Sequence, residues 1–161
     1  MKRIWGFRIA VLLGIIGIVG MAGLAYGVGS VTVYNADGSF NCATDTIQWG
    51  INACLDGGTV ACADGVYTGT ENKNLSWNGK HITVRSQNRA TNCIIDCQYD
   101  GREFYFNNTG QDSRDLIQGF TIRNGYVAGV WPADRGGGIY CYNNSSPSIF
   151  NCIISGNTAW V

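Results

Sequence analysis

Past residue 58 the chain alternates apolar and polar positions in short bursts separated by turn residues. Three of these bursts are alike: NCIIDC at 92–97, GFTIRN at 119–124 and NCIISG at 151–156. Laid in register, they place Cys93 over Phe120 over Cys152 and Ile95 over Ile122 over Ile154, an apolar residue at every second position. Period-two alternation predicts strands with one face turned to a core. A second alternating segment precedes each of the three, HITVRS at 81–86, EFYFNN at 103–108 and GGIYCYNN at 137–144, so a two-strand unit recurs after 22 and then 35 residues. Repeats of this length predict stacked coils in which like residues meet in columns.

Upstream the pattern differs. Val31–Tyr34 reads as a short strand and NADGS at 35–39 as a turn. Between Asp45 and Leu55 the period changes to that of a helix: Ile47, Ile51 and Cys54 or Leu55 fall on one face, and Gly57 and Gly58 end it. One amphipathic helix ahead of a series of strands suits the base of a stack, because the first coil otherwise exposes an apolar end and unpaired strand edges. TVACADGVYTG at 59–69 follows, two strands around an Asp64–Gly65 turn. Later strands are followed by Asn107 and Asn108, Asn124 and Gly125, Asn143 and Asn144, and Gly156 and Asn157. Both residue types tolerate the left-handed backbone that a sharp corner needs.

An amphipathic helix followed by TVACADGVYTG, WNGKHITVRSQN, NCIIDC, LIQGFTIRNG and GGGIYCYNNSSPSIFNCIISGNTA resembles the opening of right-handed parallel β-helix repeat proteins of the pectate-lyase-like superfamily. The resemblance runs from about Asp45 to Ala159. It implies an all-β chain, a solenoid with an N-terminal capping helix: residues 28–58 form the first strand and cap, and residues 59–161 the coils. An antiparallel sandwich also has short strands and turns, but it gives no reason for like residues to recur in fixed order.

Residues 1–27 are set apart from this scheme. Lys2, Arg3 and Arg8 precede an apolar run from Ile9 to Leu24, and Ala25 and Gly27 are the small residues of a cleavage site, so the segment reads as a secretory signal peptide. The alternative, a retained membrane anchor, needs about 20 apolar residues, and five glycines from Gly14 to Gly27 interrupt the run. Export makes the protein secreted or cell-surface, with membrane contact through the leader alone. The remainder holds eight bases against eleven acids, a net charge of −3 with no basic cluster, which argues against nucleic acid. Of seven cysteines, Cys62, Cys93, Cys141 and Cys152 sit in apolar strand patterns as small buried hydrophobes. Cys42 and Cys54 flank the helix and are the expected disulfide, and no CxxC spacing suggests zinc.

Enzymes on the fold implied by the resemblance act on polysaccharides by elimination, with calcium held by aspartates, or by hydrolysis between two carboxyl groups. Asp112, Arg114 and Asp115 lie together in QDSRD, but as a polar loop they read as solvated surface; His81 has no sequence partner and reads the same way. Asp96 reads as a turn residue. Neither the WIDH-like and RxPxxR-like patterns of pectate lyases nor the GHG and RIK patterns of polygalacturonases occur, so no catalytic residue, metal or cofactor is assigned. The segment GYVAGVWPADRGG at 125–137 lengthens the last repeat and carries Tyr126, Trp131, Asp134 and Arg135, a set on which a sugar ring could stack and hydrogen-bond. The expectation is a non-catalytic surface module for adhesion or polysaccharide binding. The alternative is the N-terminal part of a polysaccharide lyase or glycoside hydrolase with its catalytic coils further on, calcium being implied only there. The uncapped rung at NCIISG suggests a truncated chain and a surface open to self-association.

Overall fold

The computed structural model describes residues 30–107, 110–129 and 134–160; residues 1–27, read above as a signal peptide, lie outside them. Strands β1 (Val31–Tyr34), β2 (Phe40–Thr44) and β3 (Thr59–Cys62) surround helix α1 (Ile47–Ala53), and β4 (Gly65–Tyr67) follows. Then come β5 (Thr83–Ser86), β6 (Cys93–Asp96), β7 (Phe104–Asn107), β8 (Leu116–Gln118), β9 (Thr121–Arg123) and β10 (Tyr126–Ala128). The last four are β11 (Ile139–Tyr142), β12 (Ser148–Phe150), β13 (Ile153–Ser155) and β14 (Thr158–Trp160). Among the described residues the class is all-β with one α-helix, and beyond β3 the strands pair in parallel, the antiparallel contact of Gly101 with Tyr126 being an isolated bridge.

Each sheet collects strands from distant parts of the chain. One has six strands in the order β12-β8-β5-β3-β1-β2, another four in the order β13-β9-β6-β4, and β7–β11 and β10–β14 form two pairs. From β3 onward the chain passes from the six-stranded sheet to the four-stranded one and then towards the pairs before returning. Cross-strand register therefore stacks like on like. Val60, Val84, Ile117 and Ile149 form one inward column; Tyr67, Ile95, Ile122 and Ile154 form another. Phe104, Phe106, Phe120 and Trp77 fill the space between, with Trp77 edge-on to Phe106 at 5.1 Å. Fully burying such side chains contributes about 1.5–3 kcal/mol each.

The expected Ile95–Ile122–Ile154 column is present, and the same register sets Cys93 beside Phe120 and Phe120 beside Cys152. Cys93, Ile95, Phe120 and Ile122 are at 0% exposure, but Ile154 is half exposed and Cys152 only partly covered, because β13 is a sheet edge. The other expected column is corrected. The strand in HITVRS, β5, stacks on β3 and β8, whereas those in EFYFNN and GGIYCYNN, β7 and β11, stack on each other. Alternation marks a strand but not its sheet. Cys141 is likewise exposed rather than buried, since it sits on the edge strand β11.

Helix α1 buries Ile47, Gly50 and Ile51 against β1 and β3, with Cys54 beside them and Leu55 outside. A side chain at Gly50 would meet Val31 Cγ1 at 2.7 Å, so the helix lies close on the strand. Thr46 caps the helix without a side-chain hydrogen bond; instead the Ile47 N–H donates to Asn72 Oδ1 at 2.8 Å. At the other end Lys80 Nζ donates to the carbonyls of Ile51, Asn52 and Cys54, placing a cation where the helix dipole is negative.

Candidate functional site

Corner length decides where the surface opens. Two residues connect β3 to β4, β8 to β9 and β12 to β13, but six, residues 87–92, connect β5 to β6. The longer connector stands out over its neighbours and is braced from two sides. Asn88 Nδ2 and Asn92 Nδ2 donate to the two carboxylate oxygens of Asp64 at 2.9 and 3.1 Å, and Thr121 Oγ1 donates to the Ala90 carbonyl at 2.8 Å. Between this loop and the short corners lies an open groove of about 610 Å³, lined by Arg85, Arg89, Gln118, Asn151 and Ile153 among others. Gly119 lies on its floor at φ +76°, where a Cβ would come within 2.6 Å of Ser86 Oγ.

The charges of this groove are unusual for the chain. Arg114 holds Asp112 and Arg123 holds Asp96 at 2.8 and 2.9 Å, and Lys73 pairs with Asp100. Arg135 lies 3.8 Å from Asp134, Lys80 closes α1, and Arg102 lies over the rings of Tyr105 and Tyr140 at 5.1 and 5.2 Å. Among the described basic residues, only Arg85 and Arg89 lack a carboxylate, a helix end or a ring; Arg85 donates locally to the Ser86 carbonyl at 3.2 Å. Both line the same groove, in a chain whose acids outnumber its bases beyond residue 27. An anionic group entering there would meet two guanidinium donors flanked by the amides of Gln118 and Asn151. Sequence reasoning passed over these arginines; the one signal was the length of the β5–β6 connector.

A second cluster corrects the reading of QDSRD as solvated loop and of His81 as partnerless surface. Asp115 is fully buried: Oδ1 accepts the Ile82 N–H at 3.1 Å, and Oδ2 accepts the Asp112 N–H at 2.7 Å and faces His81 Nδ1 at 3.0 Å. Arg114 NH2 lies 2.9 Å from His81 Nε2 while also binding Asp112. These partners assign the imidazole tautomer: Nδ1 donates to Asp115 and Nε2 accepts from Arg114. The Arg114 hydrogen bonds hold the exposed Asp112 carboxyl at about 2. His81, Asp112 and Asp115 bring ligand atoms within 4.8 Å of one another and are the residues that could hold a divalent cation. Arg114 already supplies positive charge there, and the ring nitrogens are engaged, so the cluster locks the loop before β8 onto the start of β5.

The loop expected to bind sugar is only partly available. Tyr126 on β10 is exposed and Arg135 is half exposed, but Asp134 is buried, with Oδ1 lacking a hydrogen-bond partner, so its carboxylate does not face solvent. Trp131 lies outside the described residues. On β7 and β11 Tyr105 stacks on Tyr140 at 5.4 Å and Tyr140 on Tyr142 at 5.9 Å, but Tyr140 is buried and only Tyr142 is exposed. Asp96 serves its turn as expected, accepting from Gln98 N–H, Asn124 and Arg123. Cys42 and Cys54 are both free thiols, partly and fully buried, and the Cys54 thiol is pushed up chiefly by burial. Burial also raises the Cys62, Cys93 and Cys97 thiols, which makes them inert as nucleophiles.

Comparison with family profiles, curated proteins and solved structures gives no match for this chain.

Proposed function

We propose that this chain is an exported, non-catalytic module built as a right-handed parallel β-helix, and that it binds an acidic polysaccharide through the groove beside the β5–β6 loop. The ordered return of the chain to the same sheets, with like residues in register, supports the solenoid. The pairing of Arg85 and Arg89 in one groove, without an anion of their own, carries the functional reading. The groove crosses successive rungs, which suits an extended polymer with a charge on each sugar ring. Amide side chains on its floor suit hydroxyl groups. No carboxylate is among its lining residues, which favours binding over hydrolysis. The charge pattern of residues 1–27 supports export, and with it a place at the cell surface or outside the cell.

Retention on polyuronate columns and on neutral polysaccharide tests this. The protein binds the polyuronate, more weakly as salt rises. Arg85→Gln and Arg89→Gln each weaken binding about tenfold, equivalent to about 1.4 kcal/mol. Equal retention of wild type and the double variant sinks the reading, and release of unsaturated sugars would favour a lyase instead.

A further inference from the structure

The groove beside the β5–β6 loop does not end at Arg85. The same side chain also lines a second depression of about 270 Å³, together with Tyr34, Asn35, Ala36, Gly38 and Thr59. Strand register joins the two. Tyr34, Thr59, Thr83 and Leu116 lie opposite one another across β1, β3, β5 and β8, and two positions further along their strands Arg85 and Gln118 do the same. All six are partly exposed and alternate with buried Val33, Val60, Val84 and Ile117, so they form the outer face of the six-stranded sheet. Among the described residues, the hydroxyls of Tyr34, Thr59 and Thr83 have no partner within the chain and face solvent. No carboxylate lines either depression. Asp37 stands in the turn beside the second, where its Oδ1 closes the turn by accepting the Ser39 N–H at 2.9 Å and the Ser39 hydroxyl at 2.6 Å.

We propose that the acidic chain held in the groove runs on past Arg85 into this second depression, a step that rests on the groove being its binding site. One polymer then lies obliquely across β8, β5, β3 and β1. Strands in a sheet are about 4.8 Å apart, so Tyr34 on β1 stands about 14 Å along the stack from Gln118 on β8. A disaccharide seated between Arg85 and Gln118 leaves the Tyr34 side empty, whereas a longer chain reaches it. The chemistry changes along that span. Arg85, at the junction, gives one donor to the Ser86 carbonyl and keeps its other guanidinium N–H groups for a carboxylate. Beyond it the lining holds no further cation. There the Tyr34 ring offers a face on which a sugar ring can stack, with the Tyr34 and Thr59 hydroxyls as hydrogen-bonding partners. The second depression therefore adds contact and length selectivity rather than charge.

Calorimetric titration with a diuronate and a hexauronate tests this. The hexamer is expected to bind about tenfold more tightly than the dimer, because it engages both depressions at once. Ala36→Asp, at an exposed turn position, sets a carboxylate in the second depression; it removes the hexamer's advantage and leaves the dimer's affinity unchanged. Tyr34→Ala does the same without altering the salt dependence of hexamer binding. Arg85→Gln weakens both ligands. Should Tyr34→Ala unfold, Ala36→Asp decides. A hexamer bound no more tightly than the dimer, an advantage indifferent to these two substitutions, or an equal loss for both oligomers overturns the extension and leaves the groove standing. If neither oligomer binds, the groove reading falls and the extension with it.

Discussion

Glu103 is fully buried, and neither carboxyl oxygen has a hydrogen-bond partner; the Cys97 thiol lies beside it outside hydrogen-bond geometry. Burial pushes this carboxyl up to about 8 from an ordinary 4.5. The folded state therefore holds the proton more tightly than the unfolded chain does. Its stabilising effect is complete below 4.5 and is lost as pH rises through 8. Thermal unfolding is expected to show a melting temperature that falls steadily from about pH 5 to pH 9, and Glu103→Gln to flatten that slope. In the sequence, Glu103 sits at an unremarkable polar position. The left-handed corners were easier to see: Asn124, Asn143, Asn144 and Gly156 have φ of +57°, +48°, +63° and +65°. Gln98 and Tyr99 adopt +55° and +58° without any such signature, because the turn there is closed by Asp96 rather than by the residues that make it. His81 and Asp115 are 34 positions apart, and no local pattern pairs them.

Among elements, α1, β1, β3, β4, β6 and β9 follow directly from hydrophobic period. β2 does not, since its residues are mostly exposed and its place depends on pairing antiparallel with β1. The stacking partner of β5 was also hidden, because the chain returns to each sheet after unequal intervals set by loops. The two-residue corner after β8 allows a direct test of how tightly those intervals are held. Gly119→Ala must tolerate φ +76° and a Cβ 2.6 Å from Ser86 Oγ, which is expected to cost about 1–3 kcal/mol in urea unfolding. Ser86→Ala in the same protein relieves the contact but not the backbone strain, so it restores part of the loss. Full restoration would show that the left-handed backbone costs nothing at this corner.

At the scale of the molecule, the all-β class and the Ile95–Ile122–Ile154 column could be read from period, whereas the second column and the groove could not. The groove depends on one loop being longer than its counterparts and on the partners found by the six other described cations, Lys73, Lys80, Arg102, Arg114, Arg123 and Arg135. The repeated return to the same sheets gives each strand its partner in the neighbouring circuit, as Ile117 and Ile149 are joined across 32 residues. Very little ties one circuit to the next but one. Pulled by its ends, such a chain gives way as a zipper rather than as a single unit. Single-molecule force traces are expected to show successive releases of about 110 Å, the contour length of one circuit. The circuit of β11–β14 goes first, and the one beneath α1, fastened by Lys80 and Asn72, goes last.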